Sequence, residues 1–477
     1  MIEKNSYLPA PAMLSLVKMS EPEVAEMIER HIDFVDENGR SVHLSPKFVS
    51  HYMKRDDGEL PTVVAIAQLP IVLIDGSILA KPRGLDRDRG IVFRIPEELI
   101  RLLPKREDCT PDAVYSAFRF LLDDWLCDVS ADFTGKCILI AAALTIIERN
   151  LLPDRPVFFV TAGRRGGGKT TSLHMLIMAV LGIRAAAAAW SPNEEERRKA
   201  ILAYFMEALP YLIWDNIPRG AQISCPHIER SCTSAFYADR KLGVSEMVAT
   251  AASTIHLFTG NNIAPKGDLA SRSLKVQLEV DRADPENRTF RHPDPIGWTE
   301  AHRGQILAAL YTILLGNPEL RSPSQHPKTR FKVWWRIIGS AVEHASAQCA
   351  GETLDFQKLF LAQEEDDEES ASLIDALNAL AGQWAGTPVK AADVTAFVNG
   401  SSNDLTPDPE RQRRQVLREF LAPNAAPGHV VTGKSVGKQL MKHVGEPVSN
   451  HCRTLILKVG DDAHAKVKTF WVEARDT

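Results

Sequence analysis

No apolar run in this 477-residue chain approaches the ~20 residues that a membrane-spanning helix requires, so no membrane contact is expected. The first residues, Met1-Ile-Glu-Lys-Asn5, lack the apolar stretch of a secretory signal. Seven cysteines are scattered along the chain without a C-x-x-C pair. That usage argues against a disulfide framework and fits a reducing cytoplasm. Cys225, His227 and Cys232 lie close in sequence, but their spacing matches no usual zinc pattern, so ordinary packing is expected there. An excess of basic charge is missing too, the net charge being −5. Nucleic-acid binding is therefore not announced by bulk charge and needs local basic patches.

What is present is the composition of a soluble globular protein, with a length that suggests two to four domains. The most informative stretch is Val157 to Thr171. An apolar, β-prone run, Val157–Val160, leads into Gly163-Arg164-Arg165-Gly166-Gly167-Gly168-Lys169-Thr170, and a helical pattern follows to Leu181. Strand, glycine loop and helix are the context that the G-x-x-x-x-G-K-[ST] phosphate loop requires. Its glycines let backbone N–H groups turn inward around phosphate oxygens, and the helix N-terminus favours negative charge. Residues 163–171, including Thr171, are thus expected to hold ATP. Lys169 is placed to reach the β- and γ-phosphates, and the Thr170 hydroxyl to bind Mg²⁺.

Further stations follow. Tyr211-Leu-Ile-Trp-Asp215 is an apolar strand ending in an acid, suited to hold the Mg²⁺ water shell near Thr170. Thr254 to Phe258 is another apolar run, and it ends in Thr259-Gly-Asn261-Asn262. Asn261 or Asn262 is placed to orient the attacking water, although Gly-Asn also marks turns. Arg272 leads into the strand Ser273–Val280, where it suits a subunit edge and a neighbour's γ-phosphate. Arg240 and Lys241, beside aromatics in Ser234–Gly243, suit either a loop touching a nucleic-acid backbone or a solvated hairpin.

Around this core the periodicity predicts helices over 21–30, 45–54, 110–128, 134–150, 191–209, 298–316 and 332–349. Hairpins are expected over 32–44 and over 70–80, where Asp75-Gly76 turns the chain. Helices over 373–385, 389–398, 411–421 and 435–444, then a hairpin from Arg453 to Val472, have the order of a winged helix. Lys434, Lys438 and Lys442 are the expected phosphate contacts there, unless the wing serves protein contacts. The expected fold is an α/β P-loop NTPase: a small α+β domain over 1–105, the ATPase core with flanking helices over 106–345, an acidic linker over 346–370 and a winged helix over 371–477.

Taken together, Gly163–Thr170, Trp214–Gly220, Asp239–Gly243, Thr259–Asn262 and Asp268–Arg272 resemble the helicase-like ATPases of prophages, plasmids and other bacterial mobile elements. These belong with AAA+ ATPases, near superfamily 3 and minichromosome-maintenance helicases. Asn287-Arg-Thr-Phe290, the helical segment from Trp298 and Leu69–Gly76 are similar as well. The resemblance implies an AAA+-type parallel sheet, Asp215 as Walker B acid, Asn261 as sensor 1 and Arg272 as arginine finger. It also implies a homo-oligomeric ring, usually a hexamer, that moves on single-stranded or forked DNA in the bacterial cytoplasm.

Two departures stand out. Asn216 follows Asp215 where most AAA+ ATPases carry a glutamate, and an amide orients water but cannot take its proton. Glu194, Glu195 or Glu196 is then a candidate base. No polymerising primase domain is evident, so priming calls for a separate primase or replication initiator. The leading expectation is an ATP-driven DNA helicase or translocase for a mobile element. The alternatives are a non-unwinding DNA-binding ATP switch, such as a loader, initiator or defence-system ATPase, and a P-loop enzyme acting on a small molecule.

Overall fold

The computed structural model describes residues 14, 19–55, 61–163, 166–241, 246–279, 290–324, 329–350, 354–365, 368–400, 408–422, 430–450, 453–461 and 467–476. The chain divides into two compact units, Met1–Phe360 and Leu361–Thr477.

Unit 1 opens with two short helices, α1 (Glu21–Glu29) and α2 (Pro46–Met53). Ser20 and Ser45 start them: the Ser20 N–H donates to the Glu23 carboxylate, and Ser45 Oγ accepts from the Phe48 N–H. The hairpin expected between them shrinks to one bridge, Val35 to Ser41. Ile32, Val35 and Val42 remain exposed and have no core to pair over. A small sheet follows, in the order β1 (Ala65–Ala67), β5 (Ile91–Arg94), β4 (Arg83–Asp86). Beside it runs the expected hairpin, β2 (Ile71–Val72) and β3 (Ile78–Leu79), turned at Gly76 with φ +77°. Strand β4 escapes sequence patterning because Leu85 is its only large apolar residue.

After α3 (Glu97–Arg101) come α4 (Pro111–Phe120), which continues into a wider turn at Leu121–Trp125, and α5 (Phe133–Glu148). Buried polar contacts tie the small sheet to α5. Val72 N–H donates to the Glu148 carboxylate at 3.0 and 3.2 Å, and Arg149 Nη2 donates to Ile66 O at 2.9 Å.

The centre of unit 1 is a five-stranded sheet of β6 (Val157–Ala162), β7 (Ala187–Ala189), β8 (Tyr211–Ile217), β12 (Ile255–Asn261) and β14 (Ser273–Leu278). Its order is β14-β6-β12-β8-β7, and every neighbouring pair is parallel. The strands bury both faces, as parallel strands with covering helices do. Phe158, Val160, Ile213 and Leu257 face a core shared with α4, α5, α6 (Lys169–Leu181), α10 (Arg303–Leu315) and α12 (Ser340–Ala350). Phe159, Trp214 and Phe258 face the opposite side, toward α7 (Glu194–Met206) and α8 (Pro226–Cys232). Short strands β9 (Gln222–Ile223) and β13 (Ala264–Pro265) pair with each other, as do β10 (Phe236–Arg240) and β11 (Met247–Ala251). The remaining helices are α9 (Pro295–Ala301), α11 (Lys332–Trp334) and α13 (Phe356–Glu365).

Local chemistry corrects three expectations. Helix α7 begins at Glu194 and not at 191, because Asn193 caps it: Asn193 Oδ1 accepts from the Glu195 and Glu196 N–H groups. The helix expected over 298–316 is two helices broken at His302, whose backbone leaves the helical region. Val389 begins no helix: it pairs with Phe470 as a strand, and the helix starts at Ala391.

Unit 2 comprises α14 (Glu368–Trp384), β15 (Val389–Lys390), α15 (Ala391–Asn399), α16 (Asp408–Leu421), α17 (Gly433–Lys442), β16 (Pro447–Asn450), β17 (Arg453–Asp461) and β18 (Lys468–Asp476). Its antiparallel sheet has the order β15-β18-β17-β16. Leu377, Val394, Leu417, Val436, Leu440 and Leu457 share its core.

Candidate functional site

The chain runs from β6 out to the far edge strand β7, then back through β8 and β12, and last to β14 on the other side of β6. The direction of winding therefore reverses beside β6. Open parallel sheets bind ligands at the carboxyl ends of strands at such a point. The glycine loop sits there, joining the end of β6 to the N-terminus of α6. Gly166 and Gly168 have φ of +77° and +80°, which a Cβ would oppose. Arg164 and Arg165 lie outside the described residues.

The loop borders two cavities. One, of about 750 Å³, gathers Lys169, Thr170, Asp215, Asn216, Arg219 and Asn261. The other, of about 410 Å³, runs along Gly166–Ser172 to Met175, with Val129, Phe290 and Pro293 on its far wall. Lys169 Nζ donates to Asn261 Oδ1 at 2.8 Å. Burial pushes the Lys169 pKa down, while Asp215 opposes the shift. Asn261 ends β12 inside the cavity; Asn262 turns away with φ +51°, its N–H on Ala162 O at 3.1 Å. The sequence left those two asparagines open, and the end of the strand separates them. Asp215 ends the apolar run of β8, and its Oδ1 accepts the Asn216 N–H at 2.7 Å. Asn216 has φ +57°, a conformation asparagine tolerates better than most residues.

The cavity's residues fit a nucleotide with its metal. The glycine loop and Lys169 line the cavities, and the hydroxyl of Thr170 and the carboxylate of Asp215 are hard oxygen donors suited to Mg²⁺. The apolar wall of the smaller cavity suits a base.

Other expected residues lie elsewhere. Glu194, Glu195 and Glu196 are exposed and turned to His227, Arg198 and Lys199, so none lines the cavity. Arg272, expected at a neighbour's γ-phosphate, pairs its guanidinium with Asp268 at 2.5 Å, and its side chain is 14% exposed. Arg240 and Lys241 stand where the chain passes from β10 to β11, with Arg240 paired to the exposed Met247. Asp239 anchors that hairpin through Arg198 Nε at 3.0 and 3.2 Å. Lys434, Lys438 and Lys442 form one exposed stripe on α17. Cys225 and Cys232 are buried in the core beside β8, and His227 bonds Tyr237 Oη, so no metal group forms there. Among the described residues, the cluster with metal-ligand proximity is Cys127, Asp128 and His292.

Sequence reading missed Arg219 and His174. Arg219 lies in an apolar-poor loop with no strand or helix pattern to place it. His174 sits one turn beyond Thr170, where burial pushes its pKa down and Asp215 opposes.

No known family matches the chain by sequence, and no curated protein is similar to it in sequence. Among solved structures, the chain is similar to the apo A form of the NrS-1 C-terminal region, at 11% identity over 92% of this chain and 93% of that one, with a TM-score of 0.41. A second structure of that region matches at 10% identity over 91% and 92%, with a TM-score of 0.42. The active helicase Cch of SCCmec type IV matches at 11% identity over 92% and 78%, with a TM-score of 0.34.

Proposed function

We propose that this protein hydrolyses ATP to drive movement on DNA, as a helicase or translocase serving a mobile element. One observation carries the reading: Lys169 and Thr170 of the glycine loop face Asp215 and Asn261 across a single cavity at the carboxyl ends of β6, β8 and β12. The glycine-loop N–H groups and Lys169 hold the phosphates. Thr170 and Asp215 would hold Mg²⁺, which would supply positive charge to offset that of the phosphates. Asn261, fixed by Lys169, orients water toward the γ-phosphate. Arg240 and Lys241 contact the DNA strand, and unit 2 works as a winged helix through the α17 lysines. Subunits assemble as a ring, hexameric by the resemblance.

Asn216 favours a second reading, a slow ATP switch that binds DNA without unwinding it, since no carboxylate follows Asp215 to take water's proton. The deciding experiment is ATP turnover by the full chain with and without single-stranded DNA, followed by strand displacement. DNA-stimulated turnover that Lys169→Ala lowers by on the order of 10²-fold or more is expected. Turnover indifferent to DNA, with no displacement, moves the protein to the switch reading. No turnover at all removes both.

A further inference from the structure

The larger cavity holds two cations from one chain, Lys169 and Arg219. Sequence reading placed the second cation elsewhere, at Arg272 in a neighbouring subunit. Arg272 is poorly suited to leave its place. It pairs with Asp268 at 2.5 Å, and its Nε is buried.

Arg219 is in the opposite position. It is exposed, and its Nη2 makes one long contact, 3.3 Å, to the neutral carbonyl of Gly163 at the start of the glycine loop. A phosphate oxygen is a stronger acceptor than that carbonyl, because the bond is then charged on both sides. The backbone carrying Arg219 is fixed even though the side chain is free. Pro218, Arg219, Gly220 and Ala221 form a tight turn: Ala221 N–H donates to Pro218 O at 3.2 Å, and Gly220 has φ +75° at the position where a type II turn requires it. Gly220 N–H also donates to Asn261 O at 2.9 Å. The residue that holds Lys169 through its side chain therefore holds the Arg219 turn through its backbone.

We infer that Arg219 is the arginine that meets the γ-phosphate, and that it acts in cis, within the subunit whose glycine loop binds the nucleotide. This rests on the ATPase reading. In the reaction, water oxygen bonds to the γ-phosphorus while the bond from that phosphorus to the β–γ bridging oxygen breaks. ADP leaves with the bridging oxygen and its electron pair, and the protons of water end on inorganic phosphate and solvent. Arg219 swings from Gly163 O to the γ-phosphoryl oxygens, where charge is spread in the transition state. The turn thus adds a cation to the cavity in which Asn261 orients water.

The test is steady-state ATP turnover and equilibrium ATP binding by the full chain. Arg219→Ala is expected to lower kcat on the order of 10³-fold, as for other arginines in this role, with ATP binding within a few-fold of wild type. Arg219→Lys should recover part of the rate, because it restores the charge without the planar fork. Arg272→Ala should leave kcat near wild type. Mixing Arg219→Ala with Lys169→Ala subunits should give no more turnover than the two alone, because each active site then lacks one group in its own chain. Recovery in that mixture overturns the cis assignment. So does an active wild type whose Arg219→Ala variant turns over at full rate. A wild-type chain with no turnover overturns the ATPase reading, and this assignment with it.

Discussion

His256 is enclosed in β12 between an indole and a hydroxyl, and its chemistry follows from that. Trp214 Nε1–H donates to His256 Nδ1 at 3.1 Å, which puts the ring proton on Nε2. There it donates to Ser231 Oγ at 3.3 Å, and that hydroxyl passes its own proton to Ile228 O at 2.7 Å. Burial, with the Arg155 cation second, pushes the His256 pKa from 6.5 down to about 3. Below pH 6.5 the unfolded chain then binds a proton that the folded chain refuses, so stability is lost as pH falls from 6.5 toward 3. Glu148 has the opposite sign. Burial raises it well above 4.5, so the folded chain keeps a proton that the unfolded chain gives up, and stability declines as pH rises past 4.5. Urea melts from pH 4 to 8, set against His256→Gln and Glu148→Gln, check both. The first variant should flatten the acid side of the stability profile and the second the neutral side. A wild-type profile that either variant leaves unchanged contradicts its assignment.

Among elements, α17 and the β10–β11 hairpin show how the same residue types are sorted by periodicity. Lys434, Lys438 and Lys442 recur every four residues, which keeps them on one exposed face while Val436 and Leu440 fill the core on the other. On the hairpin, alternation of period two buries Tyr237 and Asp239 and exposes Phe236, Ala238 and Arg240. If the α17 stripe contacts phosphates, replacing all three lysines with alanine should weaken binding to single-stranded DNA and reduce the slope of log affinity against log salt by about 2. ATP turnover without DNA should stay at the wild-type rate, since none of the three lines the nucleotide cavity. An unchanged salt slope assigns the stripe to other contacts.

At the scale of the molecule, a net charge of −5 is compatible with a DNA channel, because a ring gathers a few cations from each subunit into one passage. Light scattering with ATP should then report a particle several-fold heavier than a single chain, and single-stranded DNA should stimulate turnover in that particle. A monomer in every nucleotide state is the contrary result, and it favours the switch. The charged residues that line the larger cavity, Lys169, Asp215 and Arg219, come from one chain.

The glycine loop, the strands leading to Asp215 and Asn261, and the amphipathic α17 were legible in the sequence, because each is a local pattern. Glycines mark positive φ, apolar runs mark buried parallel strands, and spacing by four marks one helix face. The residues alone left Asn261 and Asn262 open, and the resemblance chose Asn261, the last residue of β12 to pair with β6. Strand β4 was not legible, because its single large apolar residue leaves nothing periodic to read. Arg272 leads into a strand in sequence, whereas Arg219 stands in a loop with no pattern to place it. The pairing of Asp268 with Arg272, four residues apart, is local, whereas the tie from the Arg219 turn to Asn261 is made only by the tertiary structure. The Gly163 carbonyl that meets Arg219 lies 56 residues away, a separation that no local pattern encodes.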